Sequence, residues 1–235
     1  MARTQKIAGI AAAILIAGGG TAIGVAVTSQ HHAPQPARSA AGSTATGSGS
    51  GGIPVSAGNQ TLPWAGEDAR ELLAPKGPTL PRSVPTAIRI PAIGVNSKLM
   101  RLGLNSNGTM QVPPLFAKPS EAAWYKYSPA PGQVGPSVIE GHIDTYQGPS
   151  VFYRLGAVRP GNEVDVTLAD RTVAVFRVSG VREYAKAGFP SRTVYGPTDT
   201  AALRLITCGG DFDPSTGHYL SSIVVFASLV SSHPA

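Results

Sequence analysis

The sequence predicts an all-β domain, a closed barrel or a sandwich, carried behind an apolar N-terminal span and a low-complexity linker. Three observations lead there. Short apolar runs recur between turn residues from about residue 82 onward; 28 glycines and 21 prolines punctuate the 235 residues; and helical periodicity is weak throughout the same region, except around residues 120–125.

The N-terminal element comes first. Arg3 and Lys6 precede residues 7–27, an uncharged run of small and apolar side chains. At 1.5 Å per residue such a run matches a hydrocarbon core of about 30 Å. Positive charge ahead of the span keeps the N-terminus inside, so residues 1–28 read as a cytoplasmic tip and a signal-anchor transmembrane helix. The rest of the chain is then extracytoplasmic, and the protein is a single-pass protein of the cell membrane. Val25-Ala26-Val27-Thr28 makes a poor cleavage site, so the anchor is expected to stay.

Residues 29–81 form the second element. Ala, Gly, Ser, Pro and Thr dominate, with runs such as Gly47-Ser48-Gly49-Ser50-Gly51-Gly52. This composition buries too little apolar area to offset its chain entropy, and it reads as a flexible tether. Residues 64–73 are expected to form at most a short helical turn.

Residues 82–232 are one domain of ordinary size. Strand-like runs fall at residues 87–90, 138–139, 164–168, 173–178, 203–207 and 223–227. Period-two geometry places Arg204, Ile206 and Cys208 on one face of the fifth run, with Leu203, Leu205 and Thr207 on the other. Gly209-Gly210 is expected to close that strand just after the thiol.

Cys208 is the chain's single cysteine. It has no partner for an intramolecular disulfide, and an unpaired thiol outside the membrane points to chemistry. A thiol needs a base or a cation nearby to act as a nucleophile near neutral pH. Of the five histidines, His31 and His32 lie in the linker and His233 in a polar tail. His218 follows a Ser-Thr-Gly turn. His142 ends the run Val138-Ile139-Glu140-Gly141, which delivers its imidazole into a turn, and it is the preferred partner. Asp144, two residues on, reads as a turn-stabilising residue rather than a third catalytic member.

These residues resemble a family. A Gly-His-Ile-Asp turn at 141–144 followed much later by Leu-Ile-Thr-Cys-Gly-Gly at 205–210 is similar to the sortases, and in detail to class F. Ile88-Arg89-Ile90-Pro91-Ala92-Ile93-Gly94-Val95, Phe189-Pro190-Ser191-Arg192-Thr193-Val194-Tyr195-Gly196 and Gly217-His218-Tyr219 match in the same order, over roughly residues 82–230. The resemblance implies an eight-stranded β-barrel and a cysteine transpeptidase. Such an enzyme cleaves a C-terminal Leu-Pro-x-Thr-Gly-type signal through a thioacyl enzyme and passes the acyl group to a cell-wall amine. Cys208 would attack, and His142 would move the protons. The implied partners are secreted proteins bearing that signal and a peptidoglycan-precursor amine, in a Gram-positive wall. Sortases also carry an arginine on the strand after the cysteine, but no arginine follows Cys208. Arg204 is the expected substitute, on the parity above, with Arg192 as the alternative. The loop at 186–195 is expected to border the substrate groove.

Charge excludes more than it selects. The net charge is +6 without a long basic run, which suits a neighbourhood of anionic polymers and lacks the clustered Arg/Lys and aromatics of a nucleic-acid surface. The scattered acids and absent Cys/His pairs give no metal site, and no cofactor is expected. An L,D-transpeptidase is disfavoured because such enzymes set His-Gly before and Arg after the cysteine, where this chain has Ile206-Thr207 and Gly209-Gly210. A non-catalytic module keeping the same fold is the remaining alternative, sustained by the missing arginine.

Overall fold

The structure is a computed structural model, which describes residues 33–36, 75–115 and 120–235. The expected membrane span, residues 7–27, and the expected helical turn at 64–73 lie outside the described residues. Among the described residues no helix is long and apolar enough to cross a membrane. The described residues from 33 onward fall in one compact unit.

That unit is a closed eight-stranded barrel in which the neighbours run, in order, Pro85–Ile90, Val95–Leu102, Ala122–Tyr125, Gly135–Glu140, Ala201–Asp213, His218–Pro234, Thr172–Ala185 and Glu163–Leu168. β1 (Pro85–Ile90) turns through a 3₁₀ turn at Pro91–Ile93 into β2 (Val95–Leu102), which pairs with it antiparallel. Gly94 closes that turn at φ 70°. A crossover leads to β3 (Ala122–Tyr125), parallel to β2, and then to β4 (Gly135–Glu140). The excursion after β4 holds a two-stranded ribbon, β5 (Asp144–Thr145) with β6 (Gly148–Pro149), and a 3₁₀ turn at Leu155–Ala157. It continues through β7 (Glu163–Leu168), β8 (Thr172–Ala185) and a short helix, α1 (Ser191–Tyr195). β9 (Ala201–Asp213) then lies parallel to β4, and β10 (His218–Pro234) pairs with both β9 and β8.

The six expected strand-like runs lie in β1, β4, β7, β8, β9 and β10. Alternation explains why they close a barrel. Val164, Val166 and Leu168 of β7, Leu203 and Leu205 of β9, and Ile223 and Val225 of β10 meet Ile88, Ile90, Trp124, Ile139 and Phe152 in one core. Two of the barrel's eight strands were not among the expected runs. β2 reads Val-Asn-Ser-Lys-Leu-Met-Arg-Leu, whose apolar residues Val95, Leu99, Met100 and Leu102 do not alternate. Its buried Ser97 is satisfied, donating to Lys98 O at 2.6 Å and accepting from Ala122 N at 3.1 Å, so a polar inward residue knits β2 to β3. The stretch at 120–125, with its hint of helical period, instead forms β3. Its fully buried Trp124 and its pairing with β2 and β4 outweigh a weak local preference.

Residues ahead of β1 also touch the barrel. Lys76 N donates to Asp199 O at 2.8 Å, and Leu80 N donates to Gly132 O at 2.8 Å.

Candidate active site

β4 and β9 run parallel in the register Glu140↔Ile206, and Gly141 N donates to Ile206 O at 3.1 Å. His142 and Cys208 each stand two residues past that last pair. They leave the same end of adjoining strands, whose axes are about 4.8 Å apart. Sheet register thus sets the two expected residues at the same end of neighbouring strands. Cys208 is half-buried and unpaired by any disulfide.

β9 does not stop at Gly209-Gly210 as expected. It continues to Asp213, because a one-residue bulge between the pairs Tyr219↔Phe212 and Ser221↔Gly209 lets the ladder resume. Gly210 sits at φ 71°, and an added Cβ would lie 2.6 Å from Ser221 Oγ. Only glycine turns the chain here without strain. The bulge re-aims the backbone directly beyond the thiol.

His142 Nε2 lies 2.6 Å from Pro113 O. A carbonyl only accepts, so this ring nitrogen carries a proton and donates it. The imidazole turn is held a second way: Tyr219 of β10 donates its hydroxyl to Asp144 Oδ2 at 2.5 Å. Asp144 therefore ties the histidine turn to the strand paired with Cys208. Burial, and then this bond, push the Tyr219 phenol upward, so it remains a donor.

Arg204 shares the outward face of β9 with Cys208, but its donors are engaged elsewhere. Nε donates to Val194 O and Nη1 to Leu203 O, both at 3.1 Å, and the guanidinium lies 4.6 Å from the Phe226 ring centroid. It is 7% exposed, and desolvation holds its pKa below the usual value. Four residues of strand, about 13 Å, separate it from Cys208 along the chain. The structure shows Arg204 pinning α1 over β9 and gives it no contact with the thiol. Arg192, the alternative, lies in α1 and is exposed.

The cation that touches the thiol is Lys186, whose Nζ donates to Cys208 Sγ at 3.6 Å. It stands just past β8 and is fixed by its own backbone N–H, which donates to Leu220 O at 2.8 Å. Sequence reasoning placed Lys186 only at the edge of the groove loop. Nothing in its spacing from Cys208 marks it, because the β8–β10 and β10–β9 pairings bring it across.

Glu140 was also missed. It ends β4 on the same outward face, beside Ile206, and its Oε1 is buried with no hydrogen-bond partner among the described residues. Desolvation raises its pKa to about 7, and its charge in turn raises that of Tyr195 after burial has done so. The legible signal was a lone acid closing the apolar run Val138-Ile139. Among the described residues no cluster of His, Cys, Asp and Glu is arranged to hold a metal.

A sequence profile of the sortase domain matches residues 88–230, more than half of the chain. Among solved structures the chain is similar to the SrtA sortase of Actinomyces oris, at 23% identity over 68% of this chain and 88% of that one, TM-score 0.48. It is similar also to sortase A of Listeria monocytogenes, at 16% identity over 66% and 92%, TM-score 0.48. A third likeness is to a sortase E mutant from Streptomyces avermitilis, at 20% identity over 66% and 93%, TM-score 0.45. No curated protein matches the chain. Since the profile spans the barrel from β1 into β10 and takes in both His142 and Cys208, this chain belongs to the sortase family, whose members are cysteine transpeptidases.

Proposed function

We propose that this sortase is a membrane-anchored, class F-like enzyme that cleaves a Leu-Pro-x-Thr-Gly-type signal and transfers the upstream protein to a cell-wall amine. The observation that carries this reading is the β4–β9 register, which sets His142 and Cys208 at the same end of neighbouring strands.

Cys208 is the nucleophile. Its thiolate attacks the threonine carbonyl carbon, and the carbonyl oxygen takes the negative charge. When the C–N bond breaks, protonated His142 gives its proton to the departing glycine amine, leaving a thioester on Cys208. His142 then removes a proton from the incoming amine as that amine displaces the sulfur. Lys186 supplies a positive charge at the sulfur in this chain, which has no arginine after Cys208. Backbone N–H groups of Gly209 and Gly210 are the oxyanion donors in this reading. Arg204 acts at one remove, by holding α1 as the wall of the groove.

The test is mass spectrometry of the full chain in detergent, incubated with Leu-Pro-x-Thr-Gly peptides and an amine acceptor. A thioacyl adduct on Cys208, absent in Cys208→Ala and with no turnover in His142→Ala, supports the reading. A folded chain that forms no adduct with any such peptide points to the non-catalytic relative that the missing arginine allows.

A further inference from the structure

Four residues of the expected flexible tether, Ala33-Pro34-Gln35-Pro36, lie against the barrel. Ala33 is 7% exposed. Pro34 crosses Gly156, in the 3₁₀ turn Leu155–Ala157, so closely that a Cβ added there would fall 1.9 Å from Pro34 O and 2.8 Å from Pro34 C. The third-nearest atom, Gln35 Cα at 3.1 Å, also belongs to the segment. Glycine at 156 is therefore what lets this strand of peptide in. Gln35 folds its amide back to donate to Ala33 O at 3.1 Å, and its Oε1 lies 3.6 Å from where a Cβ of Gly209 would be. Gly209 follows Cys208 directly. Alternation turns its open side away from the thiol, so the segment backs the nucleophile strand and leaves the outward groove free.

We propose that the cleft between Gly156 and Gly209 is a docking site for a proline-punctuated peptide strand, and that its occupant is the chain's own Ala33–Pro36. The sequence is suited to it. Pro34 and Pro36 fix φ, and each biases the residue before it towards extended backbone, so Ala-Pro-Gln-Pro reaches the cleft with little entropy left to lose. The connection is also intramolecular, which gives the segment an effective concentration in the millimolar range. Docked there, the segment buttresses the backbone that carries Cys208.

The test uses the full chain in detergent micelles and a fluorescein-labelled peptide with the sequence of residues 31–38, followed by anisotropy. A chain carrying Pro34→Gly and Pro36→Gly is expected to bind the probe. The native chain, whose own segment competes, should bind it about ten-fold more weakly. Adding Gly156→Ala to the double-glycine chain should abolish binding. A probe carrying Ala33→Arg should fail against the double-glycine chain, and this arm decides the matter should Gly156→Ala misfold. Equal affinity in native and double-glycine chains, no binding by the double-glycine chain, or undiminished binding of the Ala33→Arg probe overturns the proposal. None of these readings needs turnover, so failure of docking and failure of the sortase reaction are separately visible.

Discussion

Replacing Glu140 by glutamine should remove most of the pH dependence of this protein's stability between pH 4.5 and 7. Burial raises the carboxyl from 4.5 to about 7 in the folded chain. In that window the folded state therefore holds a proton that the unfolded state has released. Stability is greatest below the unfolded value and falls as pH rises through the folded one. Each pH unit is worth about 1.36 kcal/mol, so an interval of about 2.5 makes the cost near 3 kcal/mol at pH 8. Glutamine keeps the shape and cannot ionise. For a barrel of this size the gain corresponds to roughly 6–12 °C in melting temperature. Thermal unfolding of the native chain and Glu140→Gln, measured from pH 4 to pH 8, reads this directly. The curves should coincide near pH 4 and separate steadily above pH 5, the variant lying higher. If the native chain shows no decline across that window, or the variant declines just as much, burial does not hold a proton on Glu140.

Lys186→Met should lower the rate of Cys208 alkylation by iodoacetamide and, about five-fold more, by iodoacetate, because both reagents need the thiolate beside the cation and the anionic one also loses its attraction; Lys186→Arg should restore both. Tyr219→Phe leaves Asp144 without its donor and frees the histidine turn. Peptide kinetics should show kcat falling more than KM rises, with a stability loss of about 1–2 kcal/mol in denaturant titration. Arg204→Ala orphans the Val194 carbonyl and uncovers Phe226. It should cost about 2–3 kcal/mol by the same titration and raise KM, without slowing thiol alkylation.

The parts of this molecule that could be read from sequence are those where one residue's neighbours carry the signal. Leu203, Leu205 and Thr207 alternate with Arg204, Ile206 and Cys208, and that alternation alone assigned the two faces of β9. β2 escaped because Ser97 takes an inward place usually filled by an apolar side chain, and its compensation comes from Ala122, 25 residues away. Arg204 was placed on the correct face, yet its destination depended on Val194 and Phe226, which no spacing links to it. Lys186 was harder still, since only the joint registers of β8, β10 and β9 bring it to the sulfur. The Gly209-Gly210 pair reads as a stop in sequence; the resumption of pairing at Asp213 and His218 makes it a bulge.

The parallel pairing of β4 with β9 also decides when the thiol and the imidazole come to the same end of the sheet. Glu140 and Ile206 are far apart in sequence, and everything from β5 to α1 must be laid down before they can meet. Contacts of this separation form late, after local hairpins such as β7–β8 have closed. A partly folded chain therefore holds its thiol and its imidazole on strands that have not yet joined. On the proposed mechanism the pairing that joins β4 to β9 is also the step that arms the chain, and any lesion that parts those two strands would disarm it.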